Sequence, residues 1–184
     1  MRRILLIMVL CLLAVASTGC KKARLRAQLK ELMSSTIVLP EKITCVHNGE
    51  VFPMPDSVRS KAKLIVYVDS IECSTCRVSH IGMYHGLFHF AEESGLFEVM
   101  LILSNVDLNG IPIIRYLSDL EIEHPVYVDV DNEFLHLNHA IPKDKRMHSF
   151  LINRSGSPLC VGDPAISDKM QPIFYRAVNS LTNN

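Results

Sequence analysis

The stretch from Leu64 to Ser94 constrains the fold more than any other part of this 184-residue chain. Leu64-Ile65-Val66-Tyr67-Val68 is an unbroken apolar run, the pattern of a strand covered on both faces. Cys73-Ser74-Thr75-Cys76 follows within a few residues, and Arg77 to Ser94 is patterned as a helix. A strand that delivers two cysteines to a helix start is the arrangement of a thiol–disulfide site. Helix amides and the macrodipole favour negative charge there, which holds the first sulfur, Cys73, as thiolate, the form that attacks disulfides. Cys76 is then close enough to close the ring. Arg77 adds positive potential and Glu72 opposes it, so the spacing leaves the direction of electron flow open. A permanent disulfide bracing the helix is the plainer alternative, but so short a loop gains little entropy from closure. A structural metal half-site would need a second Cys-x-x-Cys, which the sequence lacks.

The first twenty residues speak to compartment. Arg2 and Arg3 form a basic start, Ile4 to Ala16 an apolar stretch short for a bilayer span, and Ser17-Thr18-Gly19 a small-residue cleavage region ahead of Cys20. This is the pattern of an export signal, and it resembles the lipobox of bacterial lipoproteins. That resemblance implies acylation of Cys20, a mature chain held at the membrane by acyl chains, and a place in the cell envelope facing the periplasm. An ordinary signal peptide with an incidental cysteine is the alternative. The expected division is a signal over 1–19, a lipid anchor and tether over 20–40, and one domain over 41–184. Lys21 to Met33 is basic with Leu25, Leu29 and Leu32 at helical spacing. Three leucines bury little area, so a solvated tether with helical tendency is preferred to a packed amphipathic helix.

Nineteen basic and nineteen acidic residues leave no imbalance that would argue for nucleic acid. Of six cysteines, Cys11 leaves with the signal and Cys20 would carry lipid, so the remainder are too few for a disulfide-built scaffold. Cys45 and Cys160 fall in predicted strands and are expected as free thiols, with a second disulfide as the alternative.

Ile43 to His47 and Glu50 to Phe52 flank Asn48-Gly49, the residues of a type I′ hairpin turn. Further strands are expected over Phe97 to Leu103 and Pro125 to Val130, and a hairpin over Ser149 to Asn153 and Leu159 to Val161. Helices are expected over Ile111 to Leu120, Asn132 to Asn138 and Ala165 to Leu181. Gly95 is the natural stop of the helix after the cysteines. His85 and His89 share a face of that helix at i, i+4, yet no acidic residue completes a zinc-protease pattern, so surface or half-buried histidines are expected. Alternating strands and helices around one mixed sheet give an α/β sandwich.

In this order the segments resemble exported thioredoxin-like proteins of the TlpA and ResA type. Val68-Asp69-Ser70 leads to the cysteine pair, Pro125 to Asp129 is similar to that group's extra strand ending in Asp, and Phe150 to Gly156 to its strand and glycine turn. The resemblance implies a thioredoxin-like fold, with a central mixed sheet flanked by helices and an N-terminal hairpin. It also implies exchange with exported proteins that carry thiols or disulfides, without a cofactor. One departure falls at the site. Where that group has a cis-proline before the penultimate strand, this chain has Met147 and His148 as its substrate-facing loop, and a non-proline cis bond costs about 2.5 to 4 kcal/mol. That loop is therefore expected to be trans or differently shaped. Met147 and His148 opposite Cys73 and Cys76 would also suit copper, as in Sco-type chaperones, although those space their cysteines by three residues. A lipid-anchored interaction protein without redox activity is the third reading.

Overall fold

The computed structural model describes residues 21–68, 81–108, 111–120 and 122–183. Its strands are β1 (Ile43–His47), β2 (Glu50–Pro53), β3 (Ala62–Val68), β4 (Phe97–Ser104), β5 (Asp107–Leu108), β6 (Ile111–Pro112), β7 (Val126–Asp129), β8 (Ser149–Ile152) and β9 (Pro158–Val161). Seven of these form one mixed sheet in the order β2-β1-β7-β4-β3-β8-β9, and β5 with β6 makes a small ribbon apart from it. Helices are α1 (21–33), α2 (Asp56–Arg59), α3 (His85–Ser94), α4 (Ile113–Asp119), α5 (Phe134–Leu137) and α6 (Gln171–Ser180).

β3 runs through the middle, parallel to β4 and antiparallel to β8, and all seven of its residues are buried, as the unalternating run requires. Its side chains alternate between two apolar layers. Leu64, Val66 and Val68 meet Leu87, Phe88, Leu117, Phe174 and Val178 of α3, α4 and α6. Ile65 and Tyr67 meet Leu32, Ile37, Phe134, Ile141 and Met147 on the other side. The Asn48-Gly49 turn has φ of 49° and 77°, the positive pair of a type I′ hairpin. β7 pairs with β4 on one side and β1 on the other, so it separates the N-terminal hairpin from the rest of the sheet.

Three differences from the sequence reading have physical causes. α6 begins at Gln171 and not Ala165, because Pro172 lacks an N–H and its ring is accommodated only in a first turn. Pro112 ends β6 and caps α4, which starts one residue later. Residues 32–40, read as tether, pack onto the sheet: Leu32 is fully buried, Ile37 N–H donates to Gly156 O at 2.8 Å, and Asn138 holds both main-chain groups of Val38 at 2.8 Å. No helix among the described residues is long and apolar enough to cross a membrane.

Cys45 and Cys160 are free and buried, as expected. They sit on β1 and β9, five strand spacings or about 24 Å apart, and on opposite faces, so they cannot pair. Burial pushes the Cys45 thiol up to about 11, against a smaller opposing hydrogen bond from Tyr127, which leaves it neutral and inert.

Candidate functional site

In the sequence the cysteine pair falls between Val68, where β3 ends, and the 3₁₀ turn at Ile81–Tyr84 that opens α3. Cys73 and Cys76 lie outside the described residues, as does Cys20.

Residues just before β8 form the nearest wall. Val66 lies opposite Ser149, and Tyr67 N–H donates to His148 O at 2.9 Å, so Met147 and His148 stand beside the last turn of β3. No peptide bond among the described residues is cis, so this loop is trans, as the missing proline led one to expect. A 3₁₀ turn, Lys145–Met147, shapes it; the Asp144 carboxylate accepts from Arg146 N–H at 3.2 Å and receives the Arg146 guanidinium at 2.9 and 2.6 Å. Those hydrogen bonds hold the Asp144 carboxyl below its ordinary range.

Met147 and His148 are both buried. His148 Nε2 lies 2.8 Å from Pro142 O. A carbonyl only accepts, so Nε2 is the donor of this bond. The imidazole also leans on Tyr67, ring centroids 5.9 Å apart, and Tyr67 on Phe134 at 4.8 Å. Ser104 Oγ donates to Val68 O at 3.0 Å and lies 3.1 Å from Tyr67 Oη. The final carbonyl of β3 is thereby tied to β4.

Across from this loop, Tyr84 Oη donates to Asp163 Oδ2 at 2.6 Å, and Asp163 Oδ1 accepts from Ala165 N–H at 3.0 Å. The 3₁₀ turn that opens α3 is thus bound to the loop that follows β9. Gly162 there has φ of 131°, a backbone that favours glycine, and a Cβ would press on the flexible Met170 side chain 2.8 Å away.

Between these walls lies a groove of about 510 Å³. Leu25 and Leu29 of α1, Met147, Ile166 and Met170 make it largely apolar, while Lys145 and Asp163 supply charge at its rim. Ser149 Oγ, buried against it, has no hydrogen-bond partner among the described residues. Counting back from β8 located Met147 and His148 in the sequence. Tyr67, Ser149, Asp163 and the leucines of α1 carried no such signal, because their roles arise from elements far apart in the chain.

A hairpin, a central β3 that runs into a Cys-x-x-Cys, the parallel β4 and the antiparallel β8–β9 pair, covered by helices on both sides, define a thioredoxin-like fold. The crystal structure of a Chlorobium tepidum protein assigned as a thiol:disulfide interchange protein DsbE has it too: TM-score 0.50 and 17% identity, covering 78% of this chain and 98% of that one. Also similar are the thioredoxin domain of a thiol-disulfide oxidoreductase from Bacteroides vulgatus (TM-score 0.42, 11% identity, 76% and 98% covered) and a thioredoxin-like protein from Porphyromonas gingivalis (0.43, 13%, 80% and 94%). No protein-family model matches the sequence, and no curated protein does.

Proposed function

We propose that this chain is a lipid-anchored thiol–disulfide oxidoreductase of the cell envelope, of the TlpA and ResA type, with Cys73 and Cys76 as its reactive pair. The observation that carries the reading is the position of β3: the strand that leads into the cysteines is central in a thioredoxin-like sheet, and its end faces an apolar groove. The Cys73 thiolate attacks one sulfur of a partner disulfide, forming a mixed disulfide and releasing the partner's other sulfur as a thiolate. The Cys76 thiolate then attacks Cys73 Sγ, which expels the partner's second sulfur. Two electrons pass to the partner, and the Cys73–Cys76 disulfide remains for a donor to reduce. In the groove, Met147 and Met170 offer polarizable contact for the apolar side chains that flank a partner's cysteine. β7, a strand that ends at Asp129, supports the narrower assignment, since an added strand ending in Asp is what the resemblance implied.

The test is a redox titration of the chain carrying Cys20→Ser, with the Cys73 and Cys76 thiols counted by alkylation and mass. A reversible two-electron couple is expected, and Cys73→Ser abolishes exchange with a disulfide substrate. A potential near about −270 mV, that of thioredoxin, marks a reductant and one near about −120 mV, that of DsbA, an oxidant. A pair that never cycles overturns the proposal. Incorporation of labelled fatty acid by the wild type and not by Cys20→Ser checks the anchor.

A further inference from the structure

We propose that His85, Glu123 and His124 form a binding site for one divalent transition-metal ion of the zinc class, clipping the start of α3 to the loop before β7. The site is separate from the thiol chemistry above and does not depend on it.

One ligand atom from each of the three residues lies within 4.8 Å of the others, and His85 Nδ1 is 3.0 Å from His124 Nε2. Nitrogens bound to a tetrahedral zinc at 2.0–2.1 Å stand about 3.3 Å apart, so a small turn of the exposed His85 ring admits the ion. The three residues are the only such grouping of potential ligands among the described residues.

The geometry is held by contacts that none of the ligand atoms makes. The His124 ring stacks on Phe88, centroids 4.1 Å apart and planes 9° from parallel, which fixes its direction. Glu123 O accepts from His47 Nε2 at 2.7 Å, and Asn48 N–H donates to Ile122 O at 3.1 Å, so the β1–β2 turn pins the loop's main chain. Pro125 restricts the backbone of His124 to extended conformations. Preorganisation of this kind lowers the ordering cost of binding.

The electrostatics agree. Burial, with the neighbouring His85 and His47, pushes the His124 imidazole down, against a smaller opposing pull from Glu123 and Glu92. Without an ion, two imidazoles 3.0 Å apart share a single N–H between ring nitrogens. With one, both lone pairs point at the ion and the protons move to His85 Nε2 and His124 Nδ1. Two nitrogens and a carboxylate oxygen suit zinc or copper(II), whereas magnesium and calcium take all-oxygen sets. Ile81, Gly82 and Ile122 border an open cavity of about 470 Å³ beside the three, which leaves room for water as the fourth ligand.

The test uses the full chain in detergent with Cys73→Ser and Cys76→Ser, so that thiols of that pair do not compete. Zinc chloride is titrated by calorimetry, and cobalt(II) by visible absorption. One ion per chain is expected, with tetrahedral cobalt bands, a higher melting temperature in zinc, and affinity that falls as the pH is lowered and protons compete for the imidazoles. His85→Ala and His124→Gln should each weaken binding by at least about tenfold, the range seen for losing even an outer-shell partner. His85 is exposed, so its variant keeps the fold and isolates the ligand. No stoichiometric binding, or affinity unchanged in His85→Ala, overturns the proposal; so does loss of binding in His136→Ala/His139→Ala, which would put the ion elsewhere.

Discussion

The two faces of the central sheet are built by different means. On one, α3, α4 and α6 lay Leu87, Phe88, Leu117, Phe174 and Val178 against Leu64, Val66 and Val68, the ordinary packing of amphipathic helices. On the other, the cover over Ile65 and Tyr67 is one helix, an extended strap, a single helical turn and the loop before β8. Irregular chain leaves main-chain groups to be satisfied one by one, and here named residues do it: Asn138 for Val38, Gly156 for Ile37, and the buried Asp129 carboxylate for Glu133 N–H at 3.1 Å and Phe134 N–H at 2.8 Å. The helical face should therefore fail when apolar volume is removed, and the strapped face when either volume or a single polar contact is.

The largest test removes volume from both. Phe174→Ala and Phe134→Ala each empty a fully buried site and should cost about 3–5 kcal/mol in urea unfolding. Only Phe134→Ala also unseats Tyr67, so it alone should slow thiol exchange in the folded protein. If the two variants lose activity equally, the strapped face has no special claim on the site.

Polar deletion should separate the faces next. Asn138→Ala strips both main-chain partners from Val38 and should cost about 2–3 kcal/mol, with protease cleavage appearing near the strap. Ser94→Ala, on the helical face, removes a 3.4 Å bond to Ala91 O and should stay within about 0.5 kcal/mol. Glycines sharpen the contrast. Gly156 and Gly95 have φ of 83° and 64°, so alanine at either should cost about 1–2 kcal/mol for the left-handed backbone. At Gly156 alone the new Cβ would sit 2.5 Å from Ile37 O, and its melting temperature should fall further than that of Gly95→Ala.

The smallest effect is a pH dependence on the helical face. His124 binds its proton less readily folded than unfolded, so the unfolded chain takes up more protons as pH falls through about 6.5. Its contribution is complete above that pH and declines toward the lower folded value. His124→Gln should flatten the melting-temperature profile between pH 7 and pH 5, and an unchanged slope would assign it to other histidines.

What could be read from the sequence follows the same division. β3, the Asn48-Gly49 turn and the Gly95 stop are local signals, and each formed as expected. The strap was not legible, because Leu29 of α1 stays partly exposed and the decisive partners, Gly156 and Asn138, lie a hundred or more residues away. Helical spacing set His85 beside His89, but His89 meets Glu93 at 3.3 Å and His85 turns to His124, which periodicity along one helix cannot reveal. The loop of Met147 and His148 was found by counting from β8. Its lining by α1 was not, because a basic segment with three leucines reads locally as solvated.

The insertion of β7 also sets a timetable. β1 is made early, yet β2 is only its outer partner: on the inner side Ile43 must find Asp129, and Thr44 must find Val128. Until that part of the chain has emerged, the hairpin keeps one edge of hydrogen-bonding groups open to any other strand. Closing so long a loop must precede the contacts that reward it, which slows folding and lengthens the exposure. A chain delivered end first into a new compartment would thus hold its first hairpin unfinished until most of the sheet had arrived, and would be most prone to associate with its own kind during that wait.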